Sequence, residues 1–145
     1  MADDTLVAFG AATFLSGTQG RGFAQIRQNL LVVDDPYEGP GEAPGAAELF
    51  VSGISTCAAL MVERIAAAEK LPLKHVNVTI DAAFDMARTF DGPALLDRAH
   101  LHFVYKGINK TQAKRLTGIF EAKCPLYGTL KTATPATTVT FETKR

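Results

Sequence analysis

The run from Pro44 to Lys70, PGAAELFVSGISTCAALMVERIAAAEK, limits the fold more than any other stretch. Phe50, Ile54, Cys57, Met61 and Ile65 recur at steps of three and four, which puts them on one face at helical period. The spacing predicts one long helix with Cys57 at its middle. Leu49, Val51, Leu60 and Val62 carry apolar character onto the other faces, so the helix is expected to be buried on most sides. Ser52, Gly53, Ser55, Thr56, Ala58 and Ala59 surround the thiol with small side chains, leaving room for another backbone or a small ligand. Leu71-Pro72 closes the helix, because proline disfavours helical geometry before it and has no N–H to donate.

Before this helix, residues 5–9, 12–15 and 22–33 read as strands, with Gly17, Gly20 and Gly22 marking turns. DDPYEGPGEAP, residues 34–44, holds three prolines and two glycines and reads as a loop. After it, 75–84 alternates Val76, Val78 and Ile80 with polar residues, and 98–105 alternates Ala99, Leu101, Phe103 and Tyr105 with His100, His102 and Val104. Two half-buried strands follow, joined into a hairpin whose loop carries the turn signal Asp91-Gly92-Pro93. Asn109 opens a second helix over 111–123 with Ala113, Leu116, Ile119 and Phe120 on one face; Cys124-Pro125 stops it. A further helical turn over 126–131 and a closing strand over 137–142 complete the chain. No linker or repeat divides residues 1–145. The expectation is a single α+β domain with helices on one face of a mainly antiparallel sheet.

The 145 residues are enough for a real core, with 47 % apolar and 21 % charged. Fifteen basic and fifteen acidic residues cancel, and no basic surplus favours nucleic acid or an anionic membrane. The start is acidic where a signal peptide is positive, and no uninterrupted apolar run reaches the length of a membrane span. A cytoplasmic location is therefore expected. The N-terminal strands have no evident partner ahead of the helix, and a helix this oily leaves much apolar surface. Both point to a homodimer built around the long helices, with exchange of N-terminal strands as one way to pair them.

In a reducing compartment, the two cysteines read as thiols and not as a structural bridge. Neither belongs to a CxxC pair, and His75, His100 and His102 give no recognised zinc spacing with them. His100 and His102 share a strand face, which suits a solvated surface better than a metal site. Cys57 has two readings, a buried small hydrophobe or a reactive thiolate. Cys124, between a helix end and a proline, is expected nearer a surface cleft. If the fold joins them, one thiolate can attack peroxide and the other can close a disulfide.

ELFVSGISTC preceded by Pro44 resembles the PxELLxAALGSC signature of the OsmC and Ohr family of organic hydroperoxide reductases. CPLYGTL resembles that family's second-cysteine segment, CPVxxTL, and VDDPYEGPGEAP its DEPxxxGGxxxGPxP loop. The likeness covers about residues 20–131. It implies an intertwined homodimer with two sites at the subunit interface, Cys57 as peroxidatic thiolate and Cys124 as resolving thiol. It also implies an activating arginine from the N-terminal strands, supported by a glutamate near the start of the long helix. Arg21 in GTQGRGFA, similar to the family's GGRDGxA, is the choice for the arginine, with Arg27 in reserve. Glu48 is the corresponding acid, but it lies nine residues before Cys57; the peroxidase branches have theirs ten before, where this chain has Ala47.

The implied activity is thiol-dependent reduction of small organic hydroperoxides to alcohols through a Cys57–Cys124 disulfide. Phe50, Ile54, Met61, Phe120, Leu126 and Tyr127 would form an apolar lining that favours alkyl substrates. No metal or flavin cofactor is implied, and an external dithiol reductant, dihydrolipoyl in the family, would restore the thiols. Two other classes stand beside it: a non-catalytic homodimeric binding protein with an apolar interface pocket, and a cysteine acyl transferase or hydrolase with a histidine base.

Overall fold

The first strands pair with one another. β1 (Ala12–Leu15) lies antiparallel to β2 (Arg21–Ile26), and β2 lies antiparallel to β3 (Asn29–Asp34), so β2 is central. This is a computed structural model, which describes residues 5–87 and 94–144; the Asp91-Gly92-Pro93 turn falls outside them. The expected single strand over 22–33 is in fact the hairpin of β2 and β3. Ile26 pairs with Asn29 across a two-residue turn, and Arg27 takes φ 56. A left-handed arginine makes this turn where sequence rules look for Asn-Gly or Asp-Gly, so the turn left no glycine signal. Residues 5–9 form no strand; Leu6, Val7 and Phe9 are exposed, and an apolar run does not make a strand without a neighbour to bond.

The chain divides into two compact units, Met1–Leu49 and Phe50–Arg145. In the first, an ionic clamp shapes the loop that follows β3. Asp34, only 4 % exposed, accepts Nε and Nη2 of Arg21 at 2.8 and 2.9 Å, and the backbone N–H groups of Glu42 and Ala43 at 2.9 and 3.0 Å. Four donors on one carboxylate tie the far end of the loop to the sheet. Asp35 Oδ1 accepts from the N–H groups of Tyr37 and Glu38, organising the near end. Gly20 and Gly39 approach so closely that a Cβ on either would strike the other's backbone.

In the second unit, β4 (His75–Ala83) and β5 (Arg98–Lys106) form the expected antiparallel hairpin. α2 (Lys110–Lys123) and α3 (Pro125–Ala133) then carry the chain back to β6 (Thr137–Lys144), which runs parallel to β5. A parallel neighbour requires such a crossover, and the two short helices supply it. Asn109 caps α2 through a reciprocal pair with Gln112, Asn109 Oδ1 accepting the Gln112 N–H at 2.9 Å and Gln112 Oε1 accepting the Asn109 N–H at 3.0 Å. The architecture is α+β and mainly antiparallel as the sequence predicts, but with two three-stranded sheets in place of one.

α1 (Ala46–Ala68) begins in the first unit and continues through the second. Its buried row is Ile54, Ala58, Val62 and Ala66; Cys57, Met61 and Ile65 flank it half-buried, and Phe50 is 52 % exposed. The inward face is thus rotated from the expected stripe, because alanines let the helix approach its neighbours closely while bulkier residues occupy the margins. By length and mean hydropathy, 1.5, α1 would also pass as a membrane span, but its buried row belongs to the same core as the sheet.

Alternation in β5 decides which face that core occupies. Ala99, Leu101, Phe103 and Tyr105 are buried with Leu116, Phe120 and Tyr127. Phe103 packs edge-on to Phe120 at 5.3 Å between ring centroids, and Tyr105 bonds Thr117 Oγ1 at 2.9 Å. On the opposite face His100 and His102 pair through Nδ1 with Thr138 and Thr140 at 2.7 and 2.8 Å. Among the described residues, no group of three or more His, Cys, Asp or Glu could hold a metal ion.

Phe103→Ala should destabilise the protein by about 3–5 kcal/mol in denaturant unfolding, since a buried ring is removed from a closed core. A second prediction concerns acid. The Arg21 guanidinium holds the Asp34 carboxyl well below the usual carboxylate range, against a smaller upward push from burial. Its contribution is therefore present above the ordinary pKa of about 3.9 and disappears as pH falls through the lower folded value. Melting temperature against pH should show this acid loss in the wild type. Asp34→Asn should start lower at neutral pH and fall less.

Candidate active site

Cys57 Sγ lies 3.2 Å from Cys124 Sγ, across 67 residues of sequence, and both are free thiols. Two elements bring them together. α1 presents Cys57 at the margin of its buried row. The corner between α2 and α3 presents Cys124, which is the C-cap of the first and the N-cap of the second, with Pro125 at the start of α3. Proline suits that position because a helix's first N–H has no partner to lose. The Tyr127 N–H donates to Cys124 Sγ at 3.5 Å.

Cys124 does not reach the surface cleft expected for it. Cys124 is the buried sulfur, 3 % exposed, and Cys57 the partly open one. The corner turns inward because Phe120, Tyr127 and Leu130 on either side of it are all core residues, and they draw the cysteine in with them.

Burial pushes the Cys57 thiol up to about 11, and the hydrogen bond and charge of the Cys124 sulfur push the same way. Arg64 pulls against them. It lies seven residues after Cys57 on α1, two helical turns along the same face, and makes no hydrogen bond or ion pair among the described residues. Helical side chains lean toward the N-terminus, the direction in which Cys57 lies. The i, i+7 spacing from Cys57 is the signal by which the sequence marks Arg64.

The N-terminal unit holds the other expected polar residues. Arg21 forks onto Asp34 and also reaches Glu42 Oε2 at 2.8 Å; these two carboxylates raise its pKa further. A cleft of ≈ 440 Å³ in that unit is lined by Leu15, Arg21, Ala24, Val33, Asp34 and Leu49. Arg27 forms the β2–β3 turn. Glu48 Oε2 accepts the Gly45 N–H at 2.7 Å, the side-chain half of a capping box at the start of α1.

Of the residues expected to line a substrate pocket, Ile54, Phe120 and Tyr127 belong to the packed core, 2, 0 and 5 % exposed. Tyr127 packs against Phe120 and donates from its hydroxyl to Glu121 at 3.4 Å. Phe50 and Leu126 are open to solvent, and Met61 is half-buried beside Cys57 on α1. Among the described residues the hydrogen-bond partner of the Cys57 thiol is Cys124 and no histidine, so no general base of the kind a cysteine hydrolase uses stands beside it there. Two sulfurs at this separation can exchange a pair of electrons with a small oxidant or with an external thiol, passing between dithiol and disulfide.

Solved structures of the same fold cover nearly the whole chain. An OsmC-like protein from Mycoplasma pneumoniae superposes with TM-score 0.81 at 16% identity, covering 95% of this chain and 96% of that one. A hypothetical protein from Aquifex aeolicus gives 0.79 at 12% identity, covering 96% and 98%. An organic hydroperoxide resistance protein OsmC from Legionella pneumophila gives 0.74 at 19% identity, covering 94% and 99%. No curated protein matches the sequence. The model of the OsmC-like protein family matches residues 39–139, which contain both cysteines and the helices that carry them, and the chain belongs to that family.

Proposed function

We propose that this protein is a thiol peroxidase that reduces organic hydroperoxides to alcohols. The Cys57–Cys124 contact at 3.2 Å carries the reading. Cys57 as thiolate attacks the distal peroxide oxygen; the O–O bond breaks, the alkoxide takes a proton and leaves as alcohol, and Cys57 becomes a sulfenic acid. Cys124 then attacks the Cys57 sulfur, water departs, and a disulfide closes. One hydroperoxide and two thiols give one alcohol, one water and one disulfide, and an external dithiol returns the electrons. The balance needs no redox group beyond the sulfurs. A cytoplasmic setting, where thiols stay reduced, suits the cycle.

Small residues and open apolar ones near Cys57 favour alkyl substrates. Gly53 has open space where a Cβ would be, and Phe50, Met61 and Leu126 offer accessible apolar surface. By the family resemblance, Arg21 would be the cation that ionises Cys57 and Glu48 its supporting acid. The assembly is a homodimer. Leu30, Leu31 and Val32 on β3 are 55, 39 and 42 % exposed and Leu60 on α1 is 60 %, apolar surface that a second copy would cover.

Reduced protein mixed with stoichiometric cumene hydroperoxide should lose two thiols per chain. Cys57→Ser should abolish the reaction. Cys124→Ser should lose one thiol and stop at the sulfenic acid, and a second equivalent of hydroperoxide should carry it to the sulfinic acid, seen as a mass gain. No thiol loss in the wild type would leave a binding protein as the better reading.

The pH profile supplies a separate check. Cys124 raises the Cys57 pKa, so in Cys124→Ala the midpoint of thiolate absorbance against pH should fall below that of the wild type. An unchanged midpoint would show that the neighbouring sulfur does not control the ionisation.

A further inference from the structure

Resting on the peroxidase reading, we infer that the disulfide is reopened from one side only: the incoming thiol attacks Cys57 Sγ, and Cys124 is the sulfur that leaves. Exchange at a disulfide requires the nucleophile to reach one sulfur from behind, in line with the S–S bond, while the other accepts the electron pair. The two sulfurs here are unequal on both counts.

Access favours Cys57. Cys124 is 3 % exposed and shares the core with Phe120, Tyr127 and Leu130. Cys57 is partly open, and Gly53, one turn before it on α1, presents no side chain to block an approaching chain.

Departure favours Cys124. Its sulfur caps the N-terminus of α3 and accepts the Tyr127 N–H, so it leaves into the positive end of a helix. Cys57 lies in the interior of α1, where no backbone N–H is free to receive a departing thiolate.

The steps balance. An external thiolate bonds to Cys57 Sγ, the Cys57–Cys124 bond breaks, and Cys124 leaves as a thiolate that takes a proton. The second thiol of the same reductant then attacks its own bound sulfur, expels Cys57 as thiolate and closes a cyclic disulfide. The reductant is thereby a dithiol able to close a ring, because Cys124 would return a monothiol adduct to the starting disulfide.

Diamide can close the protein disulfide without any peroxide, which separates this inference from the substrate reading. The oxidised wild type is treated briefly with glutathione, quenched in acid, alkylated with N-ethylmaleimide and mapped by mass spectrometry. Glutathione should be on Cys57 and maleimide on Cys124, in about tenfold or greater excess over the reverse pattern. Glutathione on Cys124, or equal labelling, overturns the inference. In the single-cysteine variants, Cys124 of Cys57→Ser should react with an aromatic disulfide reagent at least about tenfold more slowly than Cys57 of Cys124→Ser; equal rates overturn it as well. Failure of diamide to close the disulfide overturns both readings. Closure by diamide with no reaction toward cumene hydroperoxide removes the peroxidase and leaves the direction of exchange standing.

Discussion

The contact between two sulfurs is the constraint around which the larger unit is arranged. Neither cysteine is placed by its neighbours in sequence. Cys57 has its position because Ile54, Ala58, Val62 and Ala66 pack inward and turn the adjacent row of α1 to the edge of the core. Cys124 has its position because α2 and α3 both bury apolar faces, and the only residue between them is the cysteine that caps both. The crossover that makes β6 parallel to β5 is what lays those helices over the sheet, on the face where Phe103 and Tyr105 point. The long-range Arg115–Glu69 fork, at 2.7 and 3.1 Å, adds a tie between α2 and the end of α1. A thiol pair assembled in this way depends on tertiary packing, and a defect far from the sulfurs in sequence can still separate them.

Much of this was legible in the residues, for reasons that can be named. Period-2 alternation in 98–105 is steep because one face of β5 is wholly buried, and the helix around Cys57 is readable because an apolar period of 3.6 has no other use over such a length. The β2–β3 hairpin was not legible, since its turn is made by Arg27 at positive φ without a glycine. The burial of Cys124 was not legible for a similar reason. Proline after Cys124 says that the chain bends but not which way, and the direction comes from Phe120, Tyr127 and Leu130, whose burial is a tertiary fact. The ion pairs around Asp34 were equally hidden, because charge partners carry no periodicity.

Ionisation is where the site is most demanding. Burial and a neighbouring sulfur both favour the neutral thiol at Cys57, so a thiolate there needs positive charge nearby. Arg64 supplies some from the same helix. Being exposed and two turns away, it acts through water, and its field weakens with salt.

Arg21 presents the opposite balance. Its guanidinium faces two carboxylates, so the cluster of Arg21, Asp34 and Glu42 carries a net negative charge and projects little positive field while both pairs are closed. The two partners are not equal. Asp34, with a side chain 1 % exposed and two backbone N–H groups bound besides, is a fixed partner; Glu42, 73 % exposed, makes a surface pair of small net value. Of the two pairs, the one with Glu42 is the one that Arg21 can release while keeping Asp34. That release costs little, because a solvated carboxylate returns to water when it lets go. The Asp34 fork meanwhile fixes the plane of the guanidinium and leaves Nη1 without a hydrogen bond among the described residues. The clamp thus holds the guanidinium chiefly through Asp34, and the Glu42 end of the loop is its weaker tie.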